Sequence, residues 1–557
     1  MSKHASGKAS PATPETFPVS GPLAALARLA AALRAEGRSE DAVLLLDHLS
    51  RLEADNGPLL EMLVNTLFEA GRIAAALAAC VRLRHYAADP ADIVHRFTPL
   101  LNAAFGECQQ CYSNADAAGA IAYLTPLAEI LPSHQGVLTM ALSCNQVLER
   151  HDEAALYARR LLDLQPDHVD AQMEIIAHLR RTGERASEID YRLALMQASP
   201  GIEPVNHASN IYELVNLMMC QNLTDSLIAK IDLAQRLLAA MPITHDPDSE
   251  ACAWIRFYQA MIGGIDLSRL RDAPPPPAVT LPELAGAAGQ PISLADVQSL
   301  AAQYQAEAVF LVAGDESYVA RYGRLFVRSV LHNADVPCLI LVHVIGGAGR
   351  LAEIAGLVAV ADGRVIYSGD HFDATLVTST VLDAPTQPAI TKPTAHYQSA
   401  RFHQAGWILY ALRLPLFVTD IDCLLERGVR DLLTPPERPD FMLNENHVVY
   451  QFGARITANL LLLFPTPHAQ RFIRFVSGYL AVALLRHDIA KFIDQIALAM
   501  GQHYMKINFP DVKVGYFDVA TDVNNCMLVT YLDHPFRFLS LYQQFDLASL
   551  PAFYREA

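Results

Sequence analysis

A period of 34 residues in the first half of the chain constrains its fold more strongly than any other feature. Gly37 and Gly71 lie 34 residues apart, and Pro132, Pro166 and Pro200 follow one another at the same interval. Between these positions apolar residues recur at helical spacing, as in LAALARLAAALRAEGRSEDAVLLLDHL. A repeat of this length predicts a stack of helical hairpins, in which each unit buries its apolar face against its neighbours.

The period and its turn residues resemble the tetratricopeptide repeat, a helix–turn–helix unit of 34 residues. In that repeat a small residue opens the turn between the helices, and a proline ends the second helix. The match is good over residues 30–82 and 115–200 and irregular over 83–114. We predict an all-α repeat domain over 22–271, whose concave groove binds a peptide or protein. The alternative is a solenoid that only packs against the second half of the chain.

Composition excludes several classes of protein. The chain has 557 residues, 52% of them hydrophobic, and a formal net charge of −17, which indicates a folded protein of several domains. This charge argues against nucleic acid and anionic lipid as partners. Residues 1–21 contain no apolar signal segment and are predicted to be a disordered leader. No apolar run approaches the roughly 20 residues that span a bilayer, so we predict no integral membrane segment.

Cysteine usage indicates a reducing compartment. The nine cysteines are scattered and odd in number, which is typical of a cytoplasmic protein. Cys108 and Cys111 form one CxxC motif, but no second pair or histidine lies at the spacing of a zinc site. We interpret them as two thiols packed inside a helical domain.

The composition changes after the repeats. RDAPPPPAVTLPELAGAAGQPISLADV contains four consecutive prolines, and we predict a linker over 272–295. Beyond it, short apolar runs such as AEAVFLVAG, PCLILVHVIGG and GRVIYSGD alternate with helical patterns such as YQSARFHQAGWILYALR. This alternation predicts an α/β domain over 296–557 with a mostly parallel sheet.

Acidic residues follow several of the predicted strands. In LPLFVTDIDCLL, Asp420 and Asp422 come directly after a buried run, while Asp315 and Asp370 follow the first and third strands. Ligands of such sheets lie beyond the carboxyl ends of the strands. Two acids spaced by two residues project to the same side of an extended chain. Their oxygens are the ligands that Mn²⁺ or Mg²⁺ prefers on a diphosphate.

Residues 306–545 resemble glycosyltransferases of the GT-A fold, in particular the glycogenin and lipopolysaccharide galactosyltransferase group. The stretches that carry the resemblance are VFLVAGDESYVARYGRLFVRSVL, YQSARF, LPLFVTDIDCLL, TANLLLLFPTPHAQRFIRFV and FIDQIAL. The resemblance implies a metal-dependent, retaining transfer of sugar from a nucleotide-diphosphate sugar, most simply a UDP-sugar. The acceptor expected from the fused repeats is a protein docked in their groove.

The resemblance also implies roles for individual residues. Nucleotide contacts are expected at Ala313, Asp315 and Tyr318, and Arg401 in SARF takes the place of the residue that contacts the diphosphate. The metal motif falls on Asp420 and Asp422, with Asp420 also close to the nucleotide.

Further matches lie later in the chain. Asn459 is expected to face the donor sugar, and Asp494 with Gln495 opens a helix in the cleft between donor and acceptor. His534 is the candidate that completes the metal site. Leu460 and Leu461 stand where the family usually has a glycine, and the family's glycine and lysine are missing around His534.

Each of these residues has a structural alternative. Arg401 would be a surface charge on a helix, Asn459 a bridge between strands, Asp494 a helix cap and His534 no ligand. The alternative for the whole protein is a non-catalytic scaffold that binds partners through its repeats. A nucleotidyltransferase would need a glycine-rich basic loop after the first strand, and AGDESYVARYG is not such a loop.

Overall fold

The computed structural model describes most of the chain, namely residues 22–198, 204–241, 249–275, 281–377, 380–382, 393–446, 452–523, 536–541, 550 and 554. The chain forms two compact units, Met1–Tyr191 and Arg192–Ala557. The leader predicted over residues 1–21 lies outside the described residues. Among the helices that are described, none is both long and apolar enough to cross a lipid bilayer.

The first unit is built from helices that pair in chain order. Its helices are Pro22–Ala35 (α1), Ser39–Leu52 (α2), Gly57–Glu69 (α3), Ile73–Tyr86 (α4), Pro90–Arg96 (α5), Thr98–Ser113 (α6), Ala117–Ile130 (α7), Gln135–Val147 (α8), His151–Leu164 (α9), Val169–Arg181 (α10) and Arg185–Ala198 (α11), of which the last crosses the boundary. Helices α1–α2, α3–α4, α6–α7 and α8–α9 form hairpins, and α10 packs on α9. The predicted tetratricopeptide-like solenoid is confirmed for this part of the chain.

The repeat in the sequence reflects the spacing of the turns between paired helices. A residue with positive φ separates the two helices at Gly37, Gly71, Ala115, Glu149 and Gly183. This conformation lets the next amide bond back to the end of the first helix, as Arg38 N–H does to Leu33 O at 2.9 Å.

Two details of the repeats differ from the expectation. Glu149 shows that the turn position does not require a small residue. The irregular stretch over 83–114 contains the extra short helix α5, which Asp89 caps through the Ala91 amide at 2.9 Å. This insertion lengthens the interval between two turns without breaking the stack.

The repeats pack through small residues on the second helix of each hairpin. Ala42, Ala76, Ala120 and Ala154 occupy equivalent positions and are fully buried. A methyl side chain at this point allows the two helices to approach closely, while leucines such as Leu46 fill the layers between hairpins.

The second unit begins with three helices, Pro204–Met219 (α12), Asp225–Ala239 (α13) and Glu250–Gly263 (α14). The sequence pattern assigned these residues to the repeat domain over 22–271, whereas the structure places them with the α/β domain. The reason lies in α12, where every residue from Leu214 to Met219 is buried. A helix end that is buried on all sides packs against neighbours on all sides and lacks the single apolar face of a repeat helix.

A central sheet of eight strands organises the second unit. The strands of this unit are Glu283–Ala285 (β1), Ala308–Gly314 (β2), Cys338–Val344 (β3), Val365–Gly369 (β4), Thr380–Leu382 (β5), Leu416–Thr419 (β6), Cys423–Leu425 (β7), Phe441–Glu445 (β8), Ile456–Leu463 (β9), Asp488–Ala490 (β10), Val514–Tyr516 (β11) and Phe538–Ser540 (β12). The order in the sheet is β1-β4-β3-β2-β6-β9-β8-β11, and only β1 and β9 run against the others. The predicted mostly parallel α/β sheet is confirmed. Strand β1 lies inside the linker predicted over 272–295, so that segment also supplies an edge strand.

Helices cover both faces of this sheet. They are Leu294–Gln303 (α15), Glu316–Tyr318 (α16), Arg324–Asn333 (α17), Leu351–Val358 (α18), Thr394–Leu412 (α19), Arg430–Leu433 (α20), Phe452–Arg455 (α21), Pro467–Ala483 (α22) and Ile493–Asn508 (α23). All residues of β2 and β3 are buried, as expected for strands covered on both sides. The carboxyl ends of β2 and β6 and the amino end of β9 meet at one edge because β9 is antiparallel.

We predict opposite effects of alanine at two glycines of the first unit. Gly71 has φ of +72° and open space where a β-carbon would lie, so Gly71→Ala should lower the free energy of unfolding by about 1 kcal/mol through backbone strain alone. Gly106 lies inside α6, and the space where its β-carbon would lie is equally open. Because alanine favours a helix more than glycine does, Gly106→Ala should raise the free energy of unfolding by about 0.5–1 kcal/mol. Urea unfolding of both variants measures these values, and equal signs would contradict the turn assignment.

Candidate functional site

A buried arginine lies at the centre of the sheet edge. Arg401 on α19 is 4% exposed, and its Nη1 lies 2.5 Å from Asp420 Oδ1. Its Nη2 lies 3.5 Å from Asp494 Oδ2 and donates a hydrogen bond to Ala458 O at 3.0 Å. Arg401 is therefore not a surface charge. It links β6, β9 and α23 at the point where a ligand of such a sheet would lie.

One donor of this guanidinium remains available. Arg401 Nε is buried and has no hydrogen-bond partner among the described residues. Gln495 Oε1, in the first turn of α23, is likewise buried and has no hydrogen-bond partner among the described residues. Buried polar atoms are nearly always satisfied, so two such atoms at one sheet edge favour a site that receives a polar ligand.

The two acids of the metal motif differ in environment. Asp420 follows β6 directly, its side chain is 30% exposed, and its amide donates to Asn459 O at 3.3 Å. Asp422 is partly buried, and its main-chain carbonyl accepts a hydrogen bond from Leu541 N–H at 2.6 Å. Burial, together with the neighbouring charge of Asp420, raises the pKa of Asp422 to about 8. Neither acid is fully exposed.

Asp494 is a second buried acid of this cluster. Its carboxylate accepts a hydrogen bond from the Gln495 amide at 2.9 Å and faces Arg401. Burial raises the pKa of Asp494 to about 6, although the positive charge of Arg401 opposes the shift. Asp494 is the second residue of α23 rather than its cap, which is Phe492.

Asn459 connects three strands. Its Oδ1 accepts hydrogen bonds from Asn444 Nδ2 at 2.9 Å and from Thr457 Oγ1 at 3.0 Å. Its carbonyl accepts the Thr419 hydroxyl at 2.8 Å. Asn459 therefore bridges β6, β8 and β9, as its structural alternative predicted, and it does so beside Asp420.

The residues after β2 form the other side of the site. Ala313 is nearly buried at the end of β2. Asp315 caps the following helix, because it accepts hydrogen bonds from Tyr318 N–H and Ser317 Oγ, both at 2.8 Å. The Tyr318 ring lies 5.3 Å from that of Tyr322. The backbone forms a π-helical turn over Val319–Gly323, a distortion often found at functional sites.

Sequence reasoning missed an aromatic patch beside these residues. Ala313 packs with Ile345 and Ala400, and the partly buried Phe372 and Tyr397 lie against them. The two rings meet edge to face, with centroids 5.9 Å apart. Tyr397 precedes Arg401 by four residues and so shares its helix face, which was a usable signal.

Asp370, also expected at this edge, has a supporting role. It lies 3.0 Å from His343 Nε2 and accepts the amides of Gly346 at 2.7 Å and Phe372 at 3.1 Å. Burial opposes ionisation, but the bond to His343 and the two amides lower the pKa of Asp370 overall. This carboxylate fixes the loop that presents Phe372.

Only part of the expected metal site falls within the described residues. His534 lies outside them, and within the described part of the chain no group of three or more His, Cys, Asp or Glu side chains is arranged around one metal position. Asp420 and Asp422 nevertheless fit a hard divalent cation in ligand type and charge, because burial and the neighbouring charge of Asp420 raise the pKa of Asp422, and a bound cation would offset both effects.

Comparisons with known proteins concern the fold. No family model matches the chain, and no curated protein matches it. Among solved structures, the chain is similar to YrrB, a TPR protein with an unusual peptide-binding site, at 13% identity and a TM-score of 0.15, covering 32% of this chain and 86% of YrrB. It is also similar to the bifunctional glycosyltransferase WbbM in its apo form, at 12% identity and a TM-score of 0.25, covering 39% of this chain and 40% of WbbM.

A third similarity is to the apo form of mouse xyloside xylosyltransferase 1, at 10% identity and a TM-score of 0.26, covering 42% of this chain and 96% of that enzyme. TPR proteins and glycosyltransferases are thus both among the solved structures that this chain resembles. At these scores the similarities carry no argument about the site.

We predict that Asp422→Asn stabilises the protein at high pH in the presence of EDTA. The folded pKa of about 8 lies above the ordinary value of 3.8, so this carboxyl favours the folded state at low pH. That contribution is lost as the pH rises from about 4 through 8. Asparagine cannot ionise, so the variant avoids the free-energy cost of the charged carboxylate in the folded state. This cost is on the order of 1–2 kcal/mol at pH 8.5 after allowance for partial exposure.

Urea unfolding at pH 5 and pH 8.5 measures the effect. Asp431→Asn is the matched control, because the hydrogen bonds from Arg537 lower the pKa of Asp431 and its replacement should bring no gain. An Asp422→Asn variant that is no more stable than the wild type at pH 8.5 would show that Asp422 is not electrostatically frustrated.

Proposed function

We propose that the second unit is a metal-dependent glycosyltransferase that moves a sugar from a nucleotide-diphosphate sugar, most simply a UDP-sugar. The observation that carries this proposal is the cluster of buried Arg401 and Asp494 with partly exposed Asp420 at the carboxyl edge of a mostly parallel sheet. Ligands of such sheets bind at this edge. The cluster combines a positively charged hydrogen-bond donor, which suits a diphosphate, with carboxylates that suit a metal ion and a sugar.

Each part of the donor has a matching surface. The aromatic patch of Phe372 and Tyr397 beside Ala313 offers an aromatic wall that suits the face of a nucleobase. Arg401 has an unused buried donor, which suits an anionic oxygen of the diphosphate. Asp420 and Asp422 would hold Mn²⁺ or Mg²⁺. When bound, that cation supplies Lewis-acid stabilisation of the diphosphate leaving group.

The chain's own residues would stabilise charge rather than move protons. Transfer breaks the bond between the sugar C1 and a diphosphate oxygen, and negative charge grows on that oxygen. Arg401 is held in place by three protein oxygens, so it needs no reorganisation to face this charge. Asp494 and Gln495 are placed to contact the sugar or the acceptor. A retaining outcome is proposed from the family resemblance alone.

We further propose that the acceptor is a protein held by the repeats of the first unit. A groove on the same chain raises the effective concentration of a bound acceptor near the transferase. The alternative is a scaffold without catalysis, and one observation favours it: the described residues contain no complete set of three metal ligands.

Nucleotide-sugar hydrolysis and thermal shift separate the two functions. We expect UDP with Mn²⁺ to raise the melting temperature of the wild type, because a ligand that binds the folded state stabilises it. Asp422→Ala should lower hydrolysis of the preferred UDP-sugar by about 100-fold or more, the scale of losing one preorganised charge-stabilising group. Asp511→Ala is the control, since Asp511 is exposed and pairs only with His468 among the residues described. No stabilisation by any nucleotide would favour the scaffold.

The role of the repeats is tested with a chain that begins at residue 192, the start of the second unit. We expect this chain to hydrolyse UDP-sugar at the full-length rate but to lose incorporation of labelled sugar into protein. Incorporation that survives the truncation would contradict acceptor docking on the repeats.

A further inference from the structure

The end of α12 is fastened to α21, which directly precedes β9, and to α23. Six residues make the contacts, and we call them the clamp: Asn216, Met219 and Cys220 at the end of α12, with Phe452, Arg455 and His503 opposite. All six belong to the second unit. The clamp was not predicted from the sequence, where these helices were assigned to the repeats.

Two of its bonds hold α21 directly. The Phe452 amide donates to Asn216 Oδ1 at 2.8 Å, and both groups are buried. Arg455 Nη1 donates to Cys220 O at 3.1 Å. Without the Asn216 acceptor, the buried Phe452 amide would lose its hydrogen bond, and an unsatisfied buried amide is costly. This bond therefore ties Phe452 strongly to α12.

The third bond comes from α23. His503 Nε2 lies 2.9 Å from Met219 O, and its ring stacks on Phe452 with centroids 6.3 Å apart. Burial lowers the pKa of His503 to about 4, so the ring is neutral at physiological pH. Because a carbonyl only accepts, the neutral ring carries its proton on Nε2 and donates it to Met219 O.

The clamp continues into the candidate site. Arg455 Nε also donates to Glu445 Oε1 at 2.6 Å, and Glu445 ends β8. The preceding residue, Asn444, donates to Asn459 Oδ1 at 2.9 Å. Asn459 in turn accepts the amide of Asp420. Hydrogen bonds and adjacent residues therefore connect the end of α12 with the residues beside the metal motif.

The strand order gives this side of the site its role. The order β2-β6-β9-β8 puts the aromatic patch on the β2 side of Asp420 and the clamp on the opposite side. On the proposed function, the nucleoside lies over β2 and the diphosphate over β6. The reacting sugar and its acceptor then lie over β9 and β8.

We propose that α12 is a working part of the transferase, and that the clamp positions α21 and the start of β9 on the acceptor side of the site. Asn216, Arg455 and His503 are positioning residues, since they act through Asn444 and Asn459. The end of α12 accordingly supports catalysis and not acceptor docking.

The test uses the full-length protein and three histidine variants. His503→Leu removes the donor to Met219 O, whereas His503→Gln restores an N–H near the position of Nε2. His468→Gln is the control, because His468 is a histidine of the same unit that pairs with exposed Asp511. Four quantities are measured: amide hydrogen exchange over Phe452–Thr457, the dissociation constant of UDP with Mn²⁺, and kcat and KM for UDP-sugar hydrolysis.

We expect His503→Leu to raise amide exchange over Phe452–Thr457 about tenfold or more and to lower kcat by a similar factor. The dissociation constant of UDP should stay within about twofold, because the nucleoside side does not touch the clamp. His503→Gln should restore most of the wild-type amide exchange and kcat, and His468→Gln should change neither quantity. If His503→Leu does not fold, Asn216→Ala provides the same comparison through the Phe452 amide.

Two outcomes would overturn the proposal. One is a folded His503→Leu protein with wild-type exchange and kcat. The other is a loss of UDP affinity as large as the loss of kcat, which would indicate a general structural defect. Hydrogen exchange needs no ligand, so it tests the clamp even if the wild type binds no nucleotide and the transferase proposal itself fails.

Discussion

The ion pairs of one buried guanidinium determine the architecture of the candidate site. Arg401 is brought by α19, Asp420 by the end of β6 and Asp494 by the start of α23, so three elements must pack correctly before the charges meet. Burying charges costs several kcal/mol per ion, and an apolar cluster of equal volume is often at least as stable. Such a cluster is better explained by a charged ligand than by stability.

The second unit supports this cluster from two directions. On the β2 side, Asp370 fixes the loop that carries Phe372, and the aromatic patch borders Ala313. On the β9 side, Asn459 bridges three strands beside Asp420, and the clamp ties α21 to α12. The two sides differ in chemistry, with aromatic rings on one and amide and guanidinium groups on the other. This asymmetry matches the proposed donor, whose base has a flat face that stacks on rings and whose sugar carries hydroxyl groups.

The sequence predicted those features that rest on local patterns. The repeats were visible because each turn recurs at a fixed interval, and β2 and β3 were visible as continuous apolar runs between polar ends. The pairing of Arg401 with Asp494 was not predictable, because it depends on the packing of α19 on α23. Helix α12 was misassigned because its end is buried on all sides, and the sequence alone does not distinguish such a helix from one of the repeats. Phe372 lies in a loop whose direction depends on Asp370 and His343.

The most direct test of the central claim is a crystal structure of the protein with UDP and Mn²⁺, measured at a wavelength where manganese scatters anomalously. We expect one anomalous peak within bonding distance of the Asp420 and Asp422 carboxylates, with the diphosphate beside Arg401 and the uracil against Phe372 and Tyr397. A peak elsewhere, or UDP bound away from this edge of the sheet, would contradict the account.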